Sequence, residues 1–570
     1  MTQQWRIDFQ VFDGPNILVP YAAVVTEFPC PANSPLPVSV ADGLFSEVLP
    51  PELAQQITLP QDEIAFESVT LVLASTLQDL NGPCGLPAEL QSLEDGQFRI
   101  LLGYHDAVAT QHACLTALRI AQAVFTLAAG VQKDGIDNYR QAITAAFKQA
   151  QMEMQLRQPD RITRMLMRAA SARGIPVYLV SPLSRTWRYG QGKAGLTFFE
   201  TANQDDSLTG TRLARNKYLA NQLVKQLGFP GAAHGLARSS EQAVQIANQL
   251  GFPVVVKPAD AGKGLGVVSG ITTAGELTNA FTDADRHSKG GVIVERHIPG
   301  YSHRLAAIGG EFRWTVRLVP LHVIGDGNRT VAELLEVRNQ NLSEADVAAG
   351  QAPVKVGDDM LRMLARQSLS PEARPAAGRS VQLRSIANTA AGGTVHDCTK
   401  DTHPDNREMA ESIARGFQLD VVGIDFMTRD ISKSWRESDC AVIEVNTTPG
   451  INTDRSAVQI IAAKFPAGVD GRIPSIVLIG AEDSAVDGVA QFVAALGKRV
   501  GQTSGSETLL AGMPRCNDDE TLPQRIRALI LDSSCESLVI GATPQEIERH
   551  GFPLDRCILA LVDKGVSLST

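Results

Sequence analysis

Between residues 162 and 469, short β-branched runs alternate with stretches of helical periodicity. Val177-Tyr178-Leu179-Val180, Val254-Val255-Val256, Val292-Ile293-Val294 and Val442-Ile443-Glu444-Val445 are the clearest runs. Such alternation restricts the chain to mixed architectures, and α+β is the expected class. Polar and glycine-rich segments fall at the ends of these runs, where binding and catalytic groups usually collect. A chain of 570 residues implies three or four domains at roughly 150 residues each. Texture divides it into three blocks: 1–161, expected to be α/β, the alternating block 162–469, and a smaller α/β block, 470–570.

The flanking blocks are less informative. A strand over residues 5–12 is expected to stop at the turn cluster Asp13-Gly14-Pro15-Asn16. Apolar spacing predicts helices over 113–129 and 141–170. His105 and His112 read as ordinary surface or helix histidines. Residues 339–378 are polar and rich in Ala and Pro, which predicts a mobile surface insertion. The last block should hold strands at 475–479 and 557–562 and a helix over 487–496.

Composition excludes several classes. With 44% apolar and 20% charged residues, a folded chain is expected. A net charge of −10 argues against a broadly basic nucleic-acid surface, and 5% aromatic residues give little support for a base-stacking platform. The eight cysteines include no C-x-x-C pair, so reduced thiols in a cytoplasmic protein are expected. The sequence shows neither a signal-peptide pattern nor an apolar run of membrane-spanning length, so no membrane partner is expected.

The middle block carries the chemistry. Lys257 closes a β-branched run and offers a point charge to a phosphate. The loop that follows, with Gly262, Lys263, Gly264 and Gly266, lets backbone N–H groups approach phosphate oxygens, although an ordinary glycine turn has the same composition. It is not the G-x-x-x-x-G-K-[ST] loop. Downstream, Asp425 sits in Gly423-Ile424-Asp425-Phe426, and Glu444 and Asn446 lie two apart in a second strand-like run. An unpaired carboxylate in an apolar strand is costly. Two carboxylates and an amide oxygen are hard ligands suited to Mg²⁺ on nucleotide phosphates, the alternative being solvated acids on an edge strand. Arg384 could neutralise charge in phosphoryl transfer, and Arg304 could hold a substrate carboxylate through a bidentate fork.

Together these segments resemble the ATP-grasp fold and, more closely, the cyanophycin synthetases. The resemblance rests on His322-Val323-Ile324-Gly325-Asp326-Gly327, Thr330-Val331-Ala332-Glu333-Leu334, His403-Pro404-Asp405-Asn406 and the E-V-N-x-x-P-G segment from Glu444. Asp13-Gly14-Pro15-Asn16 and Ala172-Arg173-Gly174-Ile175-Pro176 extend it across the chain. Fused glutathione synthetases share the middle segments only. The resemblance implies that Lys217 and Lys257 hold ATP phosphates and Glu295 the adenine and ribose edge. It implies Mg²⁺ on Asp425, Glu444 and Asn446. Arg384 and Lys263 would act in catalysis, and Arg304 would orient substrate. Arg212 replaces the acid usual five positions before the first lysine, leaving the general base open. Lys263 and Leu265 replace the His and Arg of the N-H-G-R-G loop, and Arg317-Leu318 replaces an acid–arginine pair.

In the last block, Gly480-Ala481-Glu482-Asp483-Ser484-Ala485-Val486 stands where the family's Mur-ligase-like domain has G-T-N-G-K-T-T, so this block is expected to be a truncated, inactive remnant. That layout is similar to the cyanophycin synthetase 2 type. It implies ATP-dependent joining of β-aspartyl-arginine dipeptides to a poly-aspartate chain through an acylphosphate, by a homo-oligomer, dimer or larger. Two other readings stay open: a ligase of the same fold acting on another amino acid or dipeptide, and an inactive regulator of a full-length synthetase.

Overall fold

The computed structural model describes residues 7–31, 34–58, 62–130, 134–262, 264–343, 351–384, 387, 392–451, 453–505, 507–515 and 520–566. Two compact units emerge: residues 1–200 with 465–570, and residues 201–464. The blocks 1–161 and 470–570 both fall in the first of these units.

In the first unit, strands Phe9–Phe12, Ala23–Pro29, Gln97–Gly103 and Ala88–Ser92 form one sheet. Every ladder in it is antiparallel, so this block is α+β rather than the α/β expected of it. Helices Phe66–Gln78 and Ala107–Ala128 cover the sheet through Leu73, Leu77, Ala113, Ala117 and Val124. Asp106 caps the second, its Oδ1 accepting the Ala109 N–H at 2.9 Å. The helix expected over 141–170 is two, Asp134–Arg157 and Arg161–Ser171. Pro159 cannot continue the ladder, and Asp160 recaps the chain by accepting the Thr163 N–H at 3.0 Å.

The two ends of the chain interlock. The Gln191 N–H donates to Gly471 O at 2.7 Å, Lys193 N–H to Cys535 O at 2.7 Å, and Arg472 Nη1 to Gly174 O at 2.5 Å. The Asp13-Gly14-Pro15-Asn16 turn lies against Phe552, so close that a Cβ on Gly14 would stand 2.1 Å from Phe552 O. Residues 475–562 form a six-stranded sheet whose inner pairs are parallel and whose antiparallel edge is Thr508–Leu510 and Met513–Pro514. This is the α/β pattern expected there. The described cysteines are free thiols.

His105 is half-buried, its ring edge-on to Trp187 with centroids 6.0 Å apart. Burial, with Arg164 nearby, pushes its pKa down to about 4. The unfolded chain, at about 6.5, therefore takes up a proton that the folded chain refuses, and stability falls as pH drops from 6.5 towards 4. Between pH 7 and pH 5 this unit is expected to lose about 1–2 kcal/mol through His105. A His105→Gln variant should show a shallower acid limb in urea midpoints measured at the two pH values.

The second unit has two main sheets. The first orders His234–Ala237, Val292–Arg296, Val254–Pro258 and Val268–Ile271, with helices Ser240–Leu250 and Ala274–Asp285 packed on Val254, Val256, Val292 and Val294. The second orders Thr394–Asp397, Glu311–Val319, Tyr301–Ile308, Val421–Thr428 and Ala441–Asn446. Helix Pro404–Phe417 covers one face of this sheet through Met409, Ile413 and Phe417, against Leu305, Ala307, Ile424 and Phe426. Residues 351–378, expected to be a mobile insertion, are built in. Helix Asp358–Arg366 places Met360 and Leu364 in a core with Leu321, Val331, Leu335, Val354, Val381 and Leu383. Small apolar anchors at helical spacing offset the polar composition that suggested a loop.

Candidate active site

Strand register assembles the acids. Arg304 lies opposite Asp425, and Asp425 opposite Glu444, so the three side chains stand in one rung on the sheet face away from helix Pro404–Phe417. Gly423 is opposite Asn446 in the next rung. Arg304 grips Asp425 with two bonds, Nε to Oδ1 at 2.7 Å and Nη2 to Oδ2 at 2.9 Å. The bidentate fork expected to meet a substrate carboxylate is therefore engaged by Asp425, and the Nη1 edge is left for a second anion. Burial by itself would lower the Arg304 pKa. The charge and hydrogen bonds of Asp425, with Glu444 beyond, hold it above its ordinary value.

One lysine meets these acids and the other pairs with Glu295. Lys217, at the start of helix Lys217–Gln226, places Nζ 2.9 Å from Glu444 Oε1 and donates to Ala261 O at 2.6 Å. Asn216 caps that helix, which fixes the position of Lys217. Lys257 ends its strand with Nζ 2.9 Å from Glu295 Oε2 and 3.4 Å from Ile443 O. Lys257 and Glu295 are 7% and 4% exposed, so each needs the other. Glu295, expected at an adenine edge, is thus the counter-ion of a phosphate-lysine candidate.

The glycine loop behaves as its composition predicts. Gly264 and Gly266 have φ of 74° and 66°, a region that favours glycine. A Cβ on Gly266 would meet Pro258 Cγ at 3.0 Å and Ala284 Cα at 3.1 Å, while one on Gly262 would meet open space. Lys263 lies outside the described residues. Arg384 lies beside helix Asp358–Arg366, its Nε 3.3 Å from Asp359 Oδ2, and it does not join the Asp425 rung through that pair.

The donor set fits Mg²⁺. Two carboxylates from opposed positions and one amide group are hard ligands, and this ion characteristically takes one or two carboxylates and completes its shell with substrate phosphates. Asn446 turns Nδ2 to Asp425 Oδ2 at 3.3 Å, and an amide flip presents its oxygen instead. Among the described residues no group of three or more His, Cys, Asp or Glu could hold a metal ion. The ion would therefore need the asparagine and phosphate oxygens beside the two acids.

Two neighbours of these residues carry no sequence signal. His234 lies opposite Glu295, edge-on to Tyr218 at 4.9 Å, and burial lowers its pKa. Asp397 stands further along the Arg304 rung. Only strand register could have found either.

Residues 216–306 match the family model described as "Carbamoyl-phosphate synthase L chain, ATP binding domain". That span contains Lys217, Lys257, the glycine loop, Glu295 and Arg304. Over 508 residues the chain is 26% identical to the cyanophycin synthetase of Synechocystis sp., covering 86% of this chain and 57% of that one. The chain is a relative of the cyanophycin synthetases. The Crocosphaera subtropica cyanophycin synthetase agrees, at 27% identity over 86% of this chain and 57% of its own length. The chain thus spans little more than half the length of these cyanophycin synthetases. A glutathione biosynthesis bifunctional protein of Mannheimia succiniciproducens is 31% identical over 204 residues, 34% of this chain and 27% of its own. The crystal structure of a bifunctional glutathione synthetase from Pasteurella multocida aligns at 21% identity and a TM-score of 0.41, over 64% of this chain and 52% of that one. Among the described residues no helix is long and apolar enough to cross a membrane.

Proposed function

We propose that the chain is an ATP-dependent carboxylate–amine ligase that lengthens a cyanophycin-type polymer by adding β-aspartyl-arginine to a poly-aspartate chain. The observation that carries this reading is the rung Arg304–Asp425–Glu444, with Lys217 paired to Glu444 and Lys257 beside the backbone of Ile443. It supports a site that gathers phosphates beside a held carboxylate.

The reaction has two steps. An oxygen of the polymer's C-terminal carboxylate attacks the γ-phosphorus of ATP, ADP leaves, and an acylphosphate forms. The dipeptide α-amine then attacks the acyl carbon, phosphate leaves, and the nitrogen gives up a proton. Mg²⁺, bound through Asp425, Glu444 and Asn446, would neutralise phosphate charge. Lys217 and Lys257, held at helix and strand ends, position phosphates, and the Nη1 edge of Arg304 orients the carboxylate. Catalysis of this kind is mainly positioning and electrostatics.

The test is phosphate release from purified protein with ATP, Mg²⁺, a short polymer primer and either β-Asp-Arg or free Asp plus Arg. Release is expected with the dipeptide only. Release with free amino acids only would overturn the dipeptide assignment, and no release with either pair would favour a regulatory role.

A further inference from the structure

The rung that carries Arg304, Asp425 and Glu444 continues in the opposite direction. Arg304 lies opposite Val316, and Val316 opposite Asp397. Directly opposed residues on paired strands project to the same face, so Asp397 shares the face of Arg304. Two strand spacings put the Asp397 backbone about 10 Å from that of Arg304. The intervening Val316 offers an apolar floor.

Asp397 is held ready to accept a cation. Its Oδ1 accepts the Thr399 N–H at 2.8 Å, and its Oδ2 is 3.2 Å from Arg455 Nη1. Hydrogen bonds from Thr399, side chain and backbone, outweigh partial burial and hold the carboxyl below its ordinary range. Arg455 is already a guanidinium on this carboxylate, yet the pair is open: the two side chains are 72% and 54% exposed. Exposed pairs contribute little to stability, so a competing guanidinium displaces Arg455 readily.

We propose that Asp397 is a specificity-determining residue that accepts the guanidinium of the β-aspartyl-arginine unit at the polymer's end, reached across Val316 from that unit's carboxylate at Arg304, with Arg455 as the resident stand-in. This rests on the ligase reading above. In the polymer's terminal unit the aspartate α-carboxylate and the arginine guanidinium stand at opposite ends, and in extended form the unit bridges roughly 10 Å, two strand spacings.

The test compares a primer ending in β-Asp-Arg with one ending in β-Asp-citrulline, in which a neutral urea replaces the guanidinium, with β-Asp-Arg as the added dipeptide, in the full chain and in Asp397→Asn. Asparagine keeps the turn to Thr399 and removes the charge. The unchanged chain should prefer the arginine peptide in kcat/KM by about 2- to 5-fold, the range for an exposed ion pair. Asp397→Asn should lose that preference through KM while the KM for ATP stays within about twofold, as a site remote from the phosphates requires. A variant that keeps the preference, or that loses rate equally on both peptides, overturns the guanidinium subsite and leaves the ligase reading standing. No phosphate release by the unchanged chain with either peptide overturns the ligase reading itself, and this proposal with it. Arg455→Ala should lower KM for the arginine peptide alone, and a raised KM would overturn the stand-in role.

Discussion

Replacing Glu444 with Gln is expected to lower turnover by about 10²–10³-fold, the range seen when one preorganised electrostatic contact is removed from an active site. The substitution keeps the length and one acceptor oxygen, so Lys217, 2.9 Å from the carboxylate, retains a hydrogen-bond partner. What is lost is the charge that a divalent cation needs. The Glu444 side chain is 30% exposed, so the stability change should stay within about 1 kcal/mol. Phosphate release, a Mg²⁺ titration and a thermal melt on the same preparation check this. The melt should coincide with that of the unchanged chain, and the Mg²⁺ needed for half-maximal rate should rise. Full activity in Glu444→Gln would remove the metal assignment.

That acid was legible because it breaks a pattern. In a run such as Val442-Ile443-Glu444-Val445, a charge among apolar residues demands a partner, and the demand is visible without coordinates. The identity of the partner is not. Arg304 is 121 residues from Asp425 in the chain, and only antiparallel register places them in one rung. The same limit hid Asp397, whose position depends on two successive ladders. Gly264 and Gly266 were readable as loop glycines because a positive φ is a local property. The helix break at Pro159 was local too, and apolar periodicity running through it masked the signal. The pairing of residues 1–200 with 465–570 was beyond any local reading. It rests on contacts such as Arg472 to Gly174 and Gly14 to Phe552, between segments hundreds of residues apart. The chemistry of the candidate site was thus accessible from residue type in context, whereas its geometry needed the ladder.

Removing Arg304 should have the largest effect on stability. The Asp425 and Arg304 side chains are 9% and 23% exposed, and two short bonds join them. An Arg304→Met variant leaves a buried carboxylate with no charged partner in the rung except Glu444, a like charge. The expected cost is about 3–5 kcal/mol in the second unit. Because the chain has two units, a single melting midpoint is a poor readout, and hydrogen exchange of the amides in Tyr301–Ile308 and Val421–Thr428 isolates the loss. Replacing both partners, as Arg304→Met with Asp425→Leu, should restore most of that stability, since apolar pairs of similar volume commonly match a buried ion pair. The double variant should still release no phosphate, because the metal ligand and the carboxylate clamp are both gone. A coupling of at least about 2 kcal/mol between the two single changes is expected for groups in direct contact. If the single and double variants lose the same stability, the pair is not what holds the rung together. If the double variant retains turnover, the rung is not where the chemistry occurs. The cycle thereby separates the structural work of this ion pair from its catalytic work, which no single substitution at either position can do.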